Sequence, residues 1–264
     1  MYYAYVSANE NKASGFCKML KRYKSTKELL EVTEDSGVYK YILPLCAAEQ
    51  TSKYAVACTQ YTILEMKKHG IYSVVIDKEL SSLIPIFISL GIENIDGSNL
   101  HKLMLPQILK LLTKDKNINL SGIQIAISSP SENDIMYLIS KLFYLDAEFV
   151  LIGDSRLEPV ADKIFEEYGI PARVTTTLRH GILLYLGGFI PQISGGVEVI
   201  DLGKTMIKKS FTDIIIDTGK LPVSNLTERP TIAVTEMFLR LTYKMPLSDA
   251  YTKSGCRVKG IKYR

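Results

Sequence analysis

GIQIAISSPSENDIMYLISKLFYLDAEFVLIGDSRLEPVADKIFEEYGIPARVT, residues 122–175, changes its hydrophobic period at each turn signal. Residues 123–127 are a short apolar run rich in β-branched side chains, as expected of a strand buried on both faces. Ile135, Leu138, Ile139 and Leu142 then recur at helical spacing, and Met136 and Phe143 widen the face. Residues 149–152 form the next buried run. Leu157, Val160, Ala161, Ile164, Phe165 and Tyr168 mark a second amphipathic helix, which Gly169 stops. Residues 172–175 add a third strand. Strand and helix alternating at this spacing imply parallel strands, because a parallel pair needs a long crossover, usually a helix. The fold class is α/β.

Upstream, residues 2–6 read as a first strand and 16–31 as a helix. Phe16, Leu20, Tyr23 and Leu30 lie roughly on one face of that helix, and its exposed side holds Lys18, Lys21, Arg22, Lys24 and Lys27. Such a side is either a solvated face or a patch for an acidic partner. Residues 38–43, 54–58 and 73–76 read as strands. A helix over 62–69 ends at Gly70, giving a second parallel unit. Pro85 leaves 80–90 ambiguous between a kinked helix and an edge strand, and 92–95 offers another strand. Residues 101–113 form a helix with Pro106 near its start or at a bend. The polar run 113–117 follows it, so a domain boundary is placed at about 118. Downstream, 176–196 is less regular and precedes strands at 197–201 and 213–217. A helix over 231–241 follows Pro230, and alternation of Cys256, Val258 and Ile261 leaves a terminal strand open. The expected layout is a small N-terminal α/β domain over 1–118 and a parallel-sheet domain over 119–230. The C-terminal helix and basic tail, 231–264, are expected to pack back on the first domain.

Composition excludes more than it assigns. Of 264 residues, 47% are apolar and 23% charged, ordinary for a globular protein with a real core. A net charge of +4 is too small an excess to argue for nucleic acid. Cys17, Cys46, Cys58 and Cys256 form no metal-ligand spacing with His69, His101 or His180, so no metal is expected. Reduced thiols, a start without a signal-peptide pattern and no long apolar run point to a cytoplasmic protein without membrane contact. Cys46 and Cys58 are expected to be buried.

Three features resemble the NAD(P)-binding Rossmann domains that stand second in shikimate-dehydrogenase-like and methylene-tetrahydrofolate-dehydrogenase-like enzymes. They are the strand 123–127, the acidic end of the second strand at Gly153-Asp154, and the segment Asp213-Ile-Ile-Ile-Asp217-Thr218-Gly219. The element order resembles those domains over 122–219. The resemblance implies NAD or NADP as cofactor, with the late segment lining the nicotinamide side. Such domains place a G-x-G-x-x-G turn after the first strand, so that backbone can approach a pyrophosphate. Ser128, Pro130 and Asn133 stand at those positions here. A helix cap explains them, with Ser129 as N-cap, Pro130 as first helical residue and Glu132 as capping-box partner. Glu132 and Asp134 then sit where the helix would attract phosphate, and they repel it. Ser155 and Glu158 form a second box of this kind.

Other signals are local. Asp154 could hold ribose hydroxyls and Arg156 an extra phosphate. Thr176, Arg179 and His180 follow the third strand, on the side where ligands bind in open α/β sheets. A nucleotide, if bound, would meet Ser128, Ser129, Ser131, Asp154, Arg156, Thr176, Arg179, Thr218 and Gly219. Asp77 and Lys78 are the nearest match to a catalytic pair. Gly203-Lys204-Thr205 lacks the first glycine of a phosphate loop, since Glu198 stands there. The sequence therefore favours a non-catalytic or regulatory protein whose degenerate Rossmann-like domain binds a small molecule or protein. Its alternatives are an NAD(P)-dependent oxidoreductase with a non-standard phosphate turn, and a nucleic-acid or acidic-partner binder using the basic segments. A homodimer is compatible with the run 181–188.

Overall fold

Ala4 and Val6 of β1 (Tyr2–Ala8) are fully buried in the middle of a five-stranded sheet. The computed structural model describes residues 1–8, 25–45, 52–202, 213–227 and 230–262. After β1 come β2 (Thr26–Thr33), β3 (Ser36–Leu43), α1 (Lys53–Lys68), β4 (Ser73–Ile76), α2 (Ile84–Ser89), β5 (Glu93–Asn94) and α3 (Ser98–Lys116). The organising stretch supplies β6 (Ile123–Ser128), α4 (Glu132–Leu142), β7 (Ala147–Ile152), α5 (Glu158–Tyr168) and β8 (Ala172–Thr175). Then follow β9 (Thr177–Tyr185), β10 (Gln192–Asp201), β11 (Asp213–Asp217), α6 (Ile232–Tyr243), α7 (Leu247–Ser254) and β12 (Arg257–Lys262). Two units result. Unit 1 is Met1–Leu100 with Thr218–Cys256, and unit 2 is His101–Asp217 with Arg257–Arg264.

Unit 1 has strand order β2-β3-β1-β4-β5, parallel except for the edge strand β2. The expected helix over 16–31 is corrected here. Its part before residue 25, with Lys18, Lys21, Arg22 and Lys24, lies outside the described residues, and its end is β2. Cross-strand pairing with β3 through a tight turn at Glu34-Asp35 overrides the helical spacing. The expected strand 54–58 is also corrected, because it forms the first turns of α1. The Ser52 hydroxyl accepts from the Ala55 N–H at 3.1 Å, and buried Thr59 donates to the Ala55 carbonyl at 2.8 Å. Both polar groups are thereby satisfied inside a helix. Cys58 is buried, whereas Cys46 lies outside the described residues.

Val6, Tyr41, Leu43 and Val74 pack with Cys58, Ile63 and Met66 of α1 and Phe87 of α2 on one face of the sheet. The helix α6 runs along β1 to β4. Its Arg240 hydrogen-bonds Tyr3, whose side chain leaves β1 on the face opposite Ala4. Pro230 precedes Thr231, the N-cap of α6, instead of opening the helix. Glu236 of α6 is 1% exposed, yet its charge is answered. It accepts from the Leu100 N–H at 3.0 Å in the first turn of α3 and from Arg240 at 2.6 Å. Arg240 also reaches Glu93 at 3.0 Å.

Unit 2 has strand order β10-β9-β6-β7-β8, all parallel. Numbered from β6, that is the 3-2-1-4-5 order of a Rossmann-like sheet. The first half is complete, with α4 and α5 as crossovers. The second half has no helix: β8 and β9 are separated by Thr176 alone. The expected irregular segment 176–196 is therefore two strands. Thr177–His180 pair with β10 only, and pairing with β6 begins at Ile182. Leu178 packs with Ala126, Val150 and Leu183, so the chain crosses one face of the sheet in extended form. It enters beside β6 at Gly181, where φ is +108° and a Cβ would lie 2.2 Å from the Gln124 carbonyl oxygen. Only glycine fits there.

The segment Asp213–Asp217 is not a strand of this parallel sheet. It pairs antiparallel with β12 in a separate ribbon, clasped by Arg257 to Asp217 at 3.1 Å. Gln107 of α3 accepts from the Val258 N–H at 2.9 Å, tying the ribbon to the helix.

Candidate functional site

In an open α/β sheet of this order, ligands bind at the carboxyl ends of the strands flanking the order reversal. Here those strands are β6 and β9. Ser128, the last residue of β6, is fully buried, and its carbonyl accepts from the Leu186 N–H at 2.8 Å. The Ser128 hydroxyl donates to the Phe189 carbonyl at 2.7 Å, with the Gly187 carbonyl at 3.3 Å. The connection from β9 to β10 therefore folds back onto the turn between β6 and α4. Gly187 and Gly188 have φ of +112° and +82°, and a Cβ on Gly188 would stand 3.2 Å from the Pro130 nitrogen. Backbone meets backbone where a cofactor pyrophosphate would meet the turn. The glycines missing from the turn have their counterparts in the loop that covers it.

The N-terminus of α4 is capped, but by a different serine from the one expected. Ser131 is the N-cap, and its hydroxyl accepts from the Asp134 N–H at 3.4 Å. Ser129 is corrected to a supporting place: its hydroxyl accepts from the Ser131 N–H at 3.1 Å. The helix starts two residues later than expected, at Glu132, and Pro130 precedes it instead of opening it. Glu132 binds Lys163 of α5 at 2.8 Å, and Asp134 binds Lys102 of α3 at 2.5 Å. Both carboxylates near the positive helix end have cations of their own.

At the end of β7, Asp154 caps a short 3-10 turn, Ser155–Leu157, by accepting from the Arg156 N–H at 3.1 Å. The expected cap Ser155 is thus inside that turn. Arg156 also grips the Asp154 carboxylate through two nitrogens, at 2.9 and 2.7 Å. These hydrogen bonds hold the Asp154 carboxyl down at about 2. Both side chains are exposed, so this is a surface pair of small net worth. Thr176 and Arg179 are exposed, as is His180, and Arg179 offers its carbonyl to the Ser194 hydroxyl across β9 and β10.

The remaining expected residues belong to unit 1. Asp77 follows β4 and accepts from the Tyr5 hydroxyl at 3.0 Å, while Lys78 is exposed. Burial, and then the Asp77 carboxylate, raise the Tyr5 phenol well above its ordinary range. Gly219 packs its backbone against Ser254, next to Thr218, whose carbonyl meets the Cys256 thiol at 3.2 Å. Gly203, Lys204 and Thr205 lie outside the described residues. Among the described residues no group of three His, Cys, Asp or Glu side chains is placed to hold a metal ion, and no helix is long and apolar enough to cross a membrane. The residues missed in the sequence are Gly187, Gly188 and Phe189. Adjacent glycines inside an apolar run were the available signal of close backbone approach.

Unit 2 is Rossmann-like by its strand order. No protein-family model matches the chain, and no curated protein does. Among solved structures, the L-tryptophan dehydrogenase from Nostoc punctiforme aligns at a TM-score of 0.32 and 10% identity. That alignment covers 79% of this chain and 65% of the dehydrogenase, so the chain spans about two-thirds of that protein's length. A likeness of this size carries no argument about activity, and the fold rests on the strand order alone.

Proposed function

We propose that this is a non-catalytic binding or regulatory protein, and that its Rossmann-like unit no longer takes a dinucleotide at the first turn. On this reading unit 2 is a domain of the shikimate-dehydrogenase or methylene-tetrahydrofolate-dehydrogenase kind that has closed its own phosphate site. The observation that carries the reading is the seating of Gly187 to Phe189 on Ser128 to Pro130. One further feature supports it. The cap hydroxyls of Ser129 and Ser131 take the N–H groups of Ser131 and Asp134, which phosphate would otherwise use.

Thermal unfolding with NAD and NADP tests this. A ligand at a hundred times its Kd adds about 2.7 kcal/mol of stability, worth several degrees of Tm for a chain of this size. No shift is expected with either dinucleotide up to millimolar concentration. A shift of several degrees would sink the proposal and favour the oxidoreductase alternative, with the Ser128, Ser129 and Ser131 hydroxyls serving the phosphates.

A further inference from the structure

The second half of the organising stretch has a surface that its fold does not explain. Phe143 and Tyr144 close α4, and Phe165 and Tyr168 lie a turn apart near the end of α5. Phe143 is 49% exposed, Tyr144 63% and Phe165 60%. Three of the rings form a group: Phe143 stands 6.3 Å from Tyr144, edge to face, and 5.7 Å from Tyr168, and exposed Phe165 lies one helical turn before Tyr168. Phe143 follows α4 and Tyr168 ends α5, so their contact makes the patch span two elements of one unit. Exposed aromatic side chains gathered in this way mark interaction surfaces more often than scattered single ones do.

Charge identifies what would cover the patch. Residues 132–168 carry nine Asp or Glu and three Lys or Arg, a net of −6. Two of the nine acids are answered from outside the segment, Asp134 by Lys102 and Glu148 by Arg173. The three cations of the segment are already engaged. Lys141 lies over the Tyr137 ring at 5.4 Å, Arg156 binds Asp154, and Lys163 binds Glu132. Glu158, Asp162 and Glu166 of α5 form no ion pair among the described residues. The surface thus combines aromatic rings with uncompensated carboxylates.

We infer that the aromatic group Phe143, Tyr144 and Tyr168, with Phe165 and the acidic face of α5 next to it along the helix, docks a basic amphipathic segment of a partner protein. Apolar side chains of that segment would cover the rings. Its Lys or Arg side chains would pair with Glu158, Asp162 and Glu166 and lie over the ring faces. The inference rests on the reading of unit 2 as a binding module and supplies its partner chemistry.

Fluorescence anisotropy with a fluorescein-labelled leucine–lysine amphipathic peptide tests it on the full chain. The peptide should bind, more weakly as salt is raised, and a leucine–glutamate peptide of the same pattern should not. The double variant Tyr144→Ser, Phe165→Ser should lose at least tenfold in affinity. Both rings are exposed, so an unchanged circular dichroism spectrum separates lost docking from lost folding. Absent binding, equal binding by the variant, or equal binding of the glutamate peptide would overturn the inference. So would a dimer, seen by sedimentation, that the same variant dissolves, because a second copy would then be the occupant. A thermal shift with NAD in the same preparation would overturn the proposed function while leaving the peptide result to stand alone.

Discussion

Tyr41 shows what a single buried hydroxyl does to this protein. It is 1% exposed, and its hydroxyl has no hydrogen-bond partner among the described residues. Burial, with smaller contributions from Tyr39 and Glu65, pushes its phenol up to about 12. A buried unsatisfied polar group costs roughly 1–3 kcal/mol, so Tyr41→Phe should stabilise the protein by about 1 kcal/mol at neutral pH. The pH dependence has a definite sign. An unfolded phenol ionises near 10, whereas the folded one resists until about 12. Its contribution is therefore fully present below pH 10 and lost as the pH climbs from 10 toward 12. Urea denaturation across that window should show the advantage of Tyr41→Phe growing with pH. A constant advantage would mean that the phenol titrates alike in both states. Tyr5 is the contrasting case, since its hydroxyl donates to Asp77 and the buried group has its partner.

At the scale of elements, β9 is the least expected and the most constrained. Its crossing over the sheet face turns on Gly181. Alanine there would need a φ of +108° and would thrust a Cβ against the Gln124 carbonyl in the central strand. The pairing of β6 with β9 would have to open, so Gly181→Ala should cost more than about 3 kcal/mol. Gly195→Ala on β10, where a Cβ meets nothing within 4 Å, should stay within about 0.5 kcal/mol. Equal melting temperatures for the two variants would refute this account of the crossing. The same contrast explains what was legible in the sequence. From β6 to β8 each element announces itself through its own period and its own stop, Gly169 being the clearest. The strands β9 and β10 are made by distant pairing, and their glycines at 181, 187, 188, 195 and 196 read locally as irregular chain. Tyr54 to Cys58 have no polar residue to set a period, so the Ser52 cap decides their structure. Asp213–Asp217 reads as a strand and is one, but its apolar run says nothing about its neighbour, which is the C-terminal segment. The turn after β6 offered three serines, each chemically able to cap. The sequence pattern favoured Ser129, whereas the structure uses Ser131, and Ser128 bonds the loop at Phe189, a contact about sixty residues away in sequence.

At the scale of the whole molecule, unit 1 is discontinuous, and its second piece is no ornament. The helix α6 lies along β1 to β4 and buries Val234, Met237, Phe238, Leu239 and Leu241. Fully burying one such side chain is worth about 1.5–3 kcal/mol, so the five together approach about 10 kcal/mol. That is comparable to the 5–15 kcal/mol that typically separates a folded domain from its unfolded chain. Glu236 adds a second dependence, because it satisfies the first turn of α3 and holds Arg240 against Glu93. Removing one partner of such a buried pair costs on the order of 3 kcal/mol. A chain ending at Asp217 should therefore not fold unit 1, although it contains every strand of that sheet. Unit 2 keeps β6 to β10 with α4 and α5 in such a chain and loses only the ribbon partner β12. Hydrogen exchange read by mass spectrometry should show the amides of β1, β3 and β4 exchanging as in an unfolded chain, while those of β6 and β7 stay protected. Protection of β1 and β3 at the level of the intact protein would show that α1 and α2 alone stabilise the sheet. The C-terminal segment would then be dispensable to the fold, and the burial of α6 would be worth far less than its area implies.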